Sequence, residues 1–178
     1  MDKQKDNWRR CVEFHGHECP GLAIGYRACE AAVEQLGVSF SRDEEVVCVT
    51  ENDACGVDAI QVLTGCSIGK GNLIHRPTGK MAFSFFCRQK ESAVRLVFQK
   101  TLGGEGLDRQ AMQQMILTAP LAELFAVNQP AYQPPEKARL FNSVTCEQCG
   151  ENCIEHAARL QQGKIVCLDC VAQYSRGW

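Results

Sequence analysis

The chain has 178 residues, a formal net charge of −2 and 22% charged residues. The near-neutral balance gives little support to nucleic acid or an anionic membrane as the main partner. No apolar run approaches the roughly 20 residues that a spanning helix needs, and the charged N-terminus leads into no signal-peptide core, so we expect a soluble, cytoplasmic protein. Twelve cysteines then favour metal and thiol chemistry over disulfides.

The first predicted helix, over residues 6–14, leads into a cluster of metal-ligand side chains. His15, His17 and Cys19 lie within five positions, and Pro20 opens a second helical pattern that Gly37 ends. Cys19 is therefore predicted at or just before the N-cap, where the helix dipole and the free backbone N–H groups favour the thiolate. The alternative is two surface histidines and a cysteine that acts as a small buried hydrophobe.

A second cysteine is predicted at a helix start, directly after a strand. Residues 45–50 read as a buried strand, with Asn52 or Asp53 as the N-cap of a helix over residues 57–63. Cys55 then falls in the first turn, and Asp58 lies near it on one face. Asp58 could be a ligand, a proton acceptor or a partner for a histidine; a solvated polar face is the alternative.

The glycine-rich loop of residues 64–72 carries Cys66, a further candidate thiol. It is not a phosphate-binding P-loop, because the glycine spacing is one residue short and Lys70 is not followed by Ser or Thr. Beyond it, residues 81–87 and 93–98 predict a β-hairpin. Residues 108–118 and 120–127 predict helices, and a proline-rich stretch then predicts a linker.

Two pairs of cysteines near the C-terminus have the spacing of a zinc site. Cys146-x-x-Cys149 and Cys167-x-x-Cys170 predict two knuckles that hold one zinc ion in tetrahedral thiolate geometry. So small a segment has too little core to fold alone, so the metal is expected to stabilise it. Cys153 and His156 lie nearby and could replace a ligand.

The N-terminal motifs resemble the FmdE-like family, which is named after a component of formylmethanofuran dehydrogenase. The resemblance rests on the residues of four stretches, 14–22, 25–28, 51–61 and 64–73. The C-terminal segment resembles a zinc finger of the DksA/TraR type, with Cys153 where an aliphatic residue is expected. The resemblance implies an α+β core domain, usually dimeric, with a metal site and a small zinc domain joined by a linker.

These expectations give a domain plan and a fold. Residues 1–128 form an FmdE-like α+β core of helices packed on a mainly antiparallel sheet, residues 129–142 a linker, and residues 143–178 a zinc finger of treble-clef or ribbon-like type. The family name ties such proteins to a molybdenum or tungsten enzyme. The chain has none of the large folds that hold a pterin cofactor, so an accessory, oxidoreductase-associated protein is expected.

Three functions compete at this stage. The first is a metal-binding accessory or redox protein, in which His17, Cys19 and Cys55, with His15 and Cys66 next in line, bind zinc, nickel or iron. The second is a thiol enzyme that uses Cys19 or Cys55 as nucleophile and His17 as base. The third is a homodimeric binding module whose zinc finger docks a protein partner, since balanced charges around the knuckles give little support to nucleic acid.

Overall fold

A computed structural model describes residues 3–99, 106 and 108–173 of the chain. Contacts between Cα atoms divide the chain into two units, Met1–Ala138 and Arg139–Trp178. Among the described helices, none combines the length and the apolar character needed to cross a membrane.

The described part of the first unit contains five helices and five strands. In chain order its elements are α1 (Lys3–His15), α2 (Pro20–Leu36), β1 (Val46–Thr50), α3 (Gly56–Thr64), β2 (Leu73–His75), β3 (Ala82–Cys87), β4 (Ser92–Phe98), α4 (Arg109–Thr118), α5 (Leu121–Leu124) and β5 (Phe125–Asn128). The strands form one sheet in the order β2-β1-β3-β4-β5. β1 and β2 are parallel, and the other pairs are antiparallel. The unit is therefore an α+β domain with a mainly antiparallel sheet, as predicted.

The helices cover one face of this sheet. Alternate residues of β3, such as Phe83 and Phe85, point into a core shared with the alanine-rich face of α2, because side chains alternate between the two faces of a strand. On the opposite face Phe86 packs against Tyr132, with ring centroids 5.8 Å apart. The Tyr132 hydroxyl donates to Ser84 Oγ at 2.9 Å.

The proline-rich segment that was predicted to be part of a linker packs on the first unit. Tyr132 lies on the sheet, the Pro135 carbonyl accepts a hydrogen bond from Arg88 at 2.8 Å, and the Ala138 amide donates to Glu44 Oε1 at 3.1 Å. A backbone without internal hydrogen bonds still needs partners, and here side chains of the core supply them.

The predicted helix over residues 120–127 is wrong in its second half. Only Leu121–Leu124 is helical, and Phe125–Asn128 is a strand that pairs with β4, with Phe98 opposite Phe125. The short apolar run suits either structure by itself. The open edge of β4, whose backbone groups need partners, decides in favour of the strand.

The second unit is built from two small hairpins. β6 (Ser143–Thr145) pairs with β7 (Asn152–Ile154), and β8 (Arg159–Gln161) pairs with β9 (Lys164–Val166); a short 3-10 turn, Glu155–Ala157, lies between them. Most apolar side chains of these strands are exposed, so little core is present.

Candidate metal centre

The histidine–cysteine motif occupies the corner between α1 and α2. His15 is the last residue of α1, and Gly16 then takes a φ of +89°, a conformation that suits glycine. Cys19 is the N-cap of α2, and its Sγ accepts a hydrogen bond from the Leu22 amide at 3.3 Å. The prediction that Cys19 caps a helix opened by Pro20 is therefore confirmed.

Three candidate ligands of this corner converge. One side-chain donor atom each of His15, His17 and Cys19 lies within 4.8 Å of the other two, so these residues could hold a metal ion. The two imidazole rings lie 4.4 Å apart between centroids. Cys19 is buried, His15 is half-buried and His17 is exposed. The group therefore has a buried thiol end and a solvent-exposed imidazole end.

Asp58 orients the ring of His15. Its Oδ2 lies 2.7 Å from His15 Nδ1, and its Oδ1 accepts a hydrogen bond from Gln61 at 3.2 Å. The carboxylate favours the tautomer that carries the proton on Nδ1. The other nitrogen, Nε2, then presents its lone pair 3.8 Å from Cys19 Sγ. This arrangement is common behind histidines that bind metals.

A close crossing of α2 and α3 brings Cys55 to the same place. A Cβ atom added to Gly25 would lie 1.9 Å from the Gly56 carbonyl oxygen, so the backbones touch where both residues are glycine. One turn nearer the start of α2, a Cβ on Gly21 would lie 3.6 Å from Cys55 Sγ and 3.9 Å from Cys19 Sγ. The starts of the two helices, and with them the two thiols, therefore meet.

The environment of Cys55 disfavours its thiolate when no metal is bound. Burial, and then a hydrogen bond with the Cys19 thiol, raise the pKa of Cys55 above its ordinary value of 9.0. Cys55 is itself the N-cap of α3, with no side-chain capping bond. The predicted capping by Asn52 or Asp53 is wrong, because the Asn52 amide instead bonds Ala54 and Lys80 within the loop.

The structure does not bring Cys66 to this group. Cys66 is fully buried, and its thiol donates to the Val46 carbonyl at 3.5 Å. After Gly65 ends α3 with a φ of +73°, the chain turns into the core under the sheet. The loop that carries Cys66 is thus part of the hydrophobic core.

A cavity of about 350 Å³ adjoins the candidate ligands. His15, Cys55 and Asp58 form one side of it, and Asp53 and His75 also line it. Sequence reasoning treated His75 as a surface residue, because the short strand β2 that delivers it was not predicted. Its register partner is Thr50 of β1, so His75 lies at the carboxyl end of a parallel pair.

The four C-terminal cysteines form a second group. Their sulfur atoms lie within 4.8 Å of one another. Gly150 takes a φ of +79° directly after the first knuckle, and the Cys167 amide donates to Cys146 Sγ at 3.3 Å. Backbone hydrogen bonds, the largest in the region of Cys149, lower the pKa of Cys146 to about 6. This geometry fits a zinc finger.

The two spare residues near the knuckles lie outside this group. Cys153 is on β7 opposite Val144, and the His156 ring stacks on Phe141 with centroids 5.1 Å apart. The set of four ligands that the spacing predicts is the set that the structure brings together among the described residues.

The fold and its two groups define an α+β protein with a His/Cys cluster and a separate four-cysteine unit, each of which could hold a metal. The chain belongs to the FmdE family: the family model described as "FmdE, Molybdenum formylmethanofuran dehydrogenase operon" matches residues 14–126. That match covers the corner between α1 and α2, the crossing of α2 and α3, and the whole sheet up to β5.

Two individual proteins are similar to the chain. An FmdE-like protein of tungsten formylmethanofuran dehydrogenase from Syntrophus aciditrophicus has the same fold, with a TM-score of 0.72 and 24% identity over 94% of this chain and 91% of that one. A probable S-adenosyl-L-methionine-binding protein from Archaeoglobus fulgidus is 31% identical over 93% of this chain. The chain spans 52% of that relative's length.

Proposed function

We propose that the core domain binds one transition-metal ion, as part of an accessory or redox protein of the formylmethanofuran dehydrogenase type. The observation that carries the proposal is the convergence of His15, His17 and Cys19 within 4.8 Å, with Cys55 brought beside Cys19 by the glycine crossing. Two imidazoles and one or two thiolates suit zinc, nickel or iron.

Each residue has a distinct part in this proposal. Asp58 holds His15 in the tautomer whose Nε2 faces the ion. Cys19 supplies a buried sulfur that a backbone amide already bonds. A bound ion would supply Lewis acidity or, for nickel or iron, a redox centre. Cys55 either completes the shell or leaves that position to a substrate, as open catalytic sites do.

The metal content of the full-length chain tests this proposal. Mass spectrometry should find one ion for the core and one for the finger. Cys19→Ala should lose the core ion, whereas Cys66→Ala, a matched control in the hydrophobic core, should keep both. Retention of both ions by Cys19→Ala and by His15→Ala would reject the core site. Cys55→Ala then decides whether three ligands are enough.

In the second unit we propose a structural zinc ion held by the four finger cysteines, Cys146, Cys149, Cys167 and Cys170. Its support is the tight sulfur cluster together with the small core of this unit. Several apolar side chains of the unit are exposed, among them Leu160 at 78% and Leu168 at 54%. They support docking of a protein partner, or homodimerisation, which sedimentation analysis of the full chain at several concentrations would test.

A thiol enzyme is the second candidate for the core. The contact between Cys19 and Cys55 favours it, since the two thiols could form a disulfide by giving two electrons and two protons to a small-molecule disulfide. The raised pKa of Cys55 makes Cys19 the nucleophile of this pair. Alkylation of metal-free protein tests it: rates no faster than those of a model thiol would reject thiol catalysis.

The Archaeoglobus fulgidus relative adds one ligand to test, because its name gives S-adenosyl-L-methionine. Isothermal titration of the full chain with this compound would show whether the shared half of that relative binds it. Binding that is lost in Asp58→Asn would assign the compound to the cavity beside His15, and heat changes equal to those of buffer would leave it to the rest of that relative.

A further inference from the structure

The cavity beside the candidate ligands has the position of a substrate pocket. It lies at the carboxyl ends of β1 and β2, next to the start of α3, and Thr50 and His75 at those ends both line it. Ligands in sheets with parallel strands commonly bind at this end. With a volume of about 350 Å³ it lies at the small end of the roughly 300–1,000 Å³ typical of small-molecule sites.

The walls of the cavity are mainly apolar. Ala54, Val57, Ile68 and Leu73 contribute hydrocarbon surface. Ile68 is 78% exposed, so a large apolar side chain stands in solvent at the edge of the cavity. Covering that side chain with an apolar ligand would remove it from water. The walls therefore favour a ligand with a hydrocarbon or aromatic body.

The charges of the cavity all have one sign. Asp53 and Asp58 line it, and none of its described lining residues is a lysine or an arginine. Both oxygens of Asp58 are already engaged, by His15 and by Gln61. Asp53 is exposed, and no side-chain hydrogen bond or ion pair fixes its carboxylate among the described contacts. Asp53 is thus the carboxylate that can meet a ligand.

A bound metal would not reverse this sign. A divalent ion held by two thiolates and two neutral imidazoles adds no net charge, so the two carboxylates still leave the site negative. Anionic ligands such as carboxylates and phosphates would meet like charge in a partly desolvated space, which costs binding free energy. A protonated amine would meet Asp53 and form a charge-assisted hydrogen bond.

We propose that this cavity binds a small organic amine, with its apolar body against Val57, Ile68 and Leu73 and its ammonium group on Asp53. The reacting part of the ligand then faces His15 and Cys55. The inference names the substrate class for the metal site and rests on the proposed function for that site. His75, at the mouth of the cavity, is a neutral imidazole that does not change the preference for a cation at neutral pH.

Matched pairs of probes test the proposal on the full-length chain. Benzylamine and benzoate, and butylamine and butyrate, have similar bodies and opposite charges. Saturation-transfer NMR and titration should show that the amines bind at least tenfold more tightly than the acids. Asp53→Asn should weaken amine binding by roughly tenfold, the effect of one charge-assisted hydrogen bond.

Asp43→Asn is the matched control. Asp43 is also exposed, but it precedes β1 at the opposite end of the strand from the cavity, so its substitution should leave amine binding unchanged. Tighter binding of the acids, equal effects of Asp53→Asn and Asp43→Asn, or no binding of either amine would each overturn the proposal.

The metal content of the same samples separates this inference from the proposed function. Protein that carries the core ion but binds no amine would reject the amine pocket and leave the metal site standing. Protein that lacks the core ion but binds amines through Asp53 would reject the metal site and keep the pocket.

Discussion

The crossing of α2 and α3 at Gly25 and Gly56 sets the distance between Cys19 and Cys55, and a single methyl group should test it. In Gly25→Ala the new Cβ would lie 1.9 Å from the Gly56 carbonyl oxygen and 2.4 Å from its Cα, whereas ordinary contacts begin at 3.4 Å. Both neighbours are backbone atoms, which cannot rotate away. The helices would have to separate by about 1.5 Å, in a core packed to crystal-like density.

The expected sign is opposite to that of a normal helix substitution. Ala for Gly in a helix interior stabilises by about 1 kcal/mol when space is free. Overpacking costs about 1–3 kcal/mol, and more where the backbone must move. We therefore expect Gly25→Ala to lower the free energy of unfolding by about 3 kcal/mol or to prevent folding. The displaced α3 should also weaken metal binding, since Cys55 moves with it.

Two further glycines give a graded series. Gly69→Ala is the control, because a Cβ there meets nothing within 4 Å. Gly21→Ala is intermediate: its Cβ would lie 3.2 Å from Cys55 Cβ, a side-chain atom that can yield by a few tenths of an ångström. We expect it to fold with a stability loss below about 1 kcal/mol but to bind the core metal more weakly.

Urea unfolding and metal competition titrations on the three variants provide the assay. The reasoning fails if Gly25→Ala is as stable as Gly69→Ala, or if Gly21→Ala binds the core metal as tightly as the unmodified chain. If Gly25→Ala does not fold, Gly21→Ala still reports on the link between the crossing and the site.

Three further predictions concern single contacts and the finger. Asp58→Asn should keep the fold but bind the core metal about 10–100-fold more weakly, as loss of the partner of a ligand histidine does; a competition titration against Asp43→Asn measures it. Chelation of zinc should unfold the unit of the four finger cysteines and leave the core intact, so that NMR signals of residues 143–166 collapse alone; signals that persist after the metal is removed would contradict a structural role. The hydrogen bond from Arg95, 2.6 Å from Glu51, lowers the pKa of Glu51 below its ordinary 4.5. Its stabilisation is therefore present above pH 4.5 and lost as the pH falls through the lower folded value, and Glu51→Gln should cost about 1–3 kcal/mol at pH 7 with a difference that shrinks below pH 4.5; a difference that grows in acid would contradict this sign.

The local signals of the chain predicted much of the structure. Pro20 and Gly37 bound α2 because each suits one end of a helix, and the cysteine spacing predicted the group that the structure forms in the finger. These signals act over a few residues and do not depend on the rest of the chain. The strand β5 was missed because its partner, β4, lies far away in sequence, and propensity alone does not decide so short a run.

The arrangement of the core site depended on contacts that sequence spacing does not contain. Asp58 had three possible roles, and the bond to His15 selects the partner role only because α1 packs beside α3. Cys66 seemed equivalent to Cys55 as a thiol near α3, yet it points into the core. The close glycine pair could have suggested the crossing, since small residues allow two helices to approach, but the sequence does not say which glycine meets which.

The one parallel pair of strands in the described sheet explains why the candidate ligands and the cavity occur together. β1, α3 and β2 form a βαβ unit within a sheet whose other pairs are antiparallel. A parallel pair requires a crossover, and here α3 is that crossover, so its first turn with Cys55 must lie at the carboxyl end of β1. The same end receives His75 from β2. Helix α2, which meets α3 through the glycine pair, then places Cys19 and the histidines beside this edge. A metal site and a pocket at any other place would require a different path of the chain between β1 and β2.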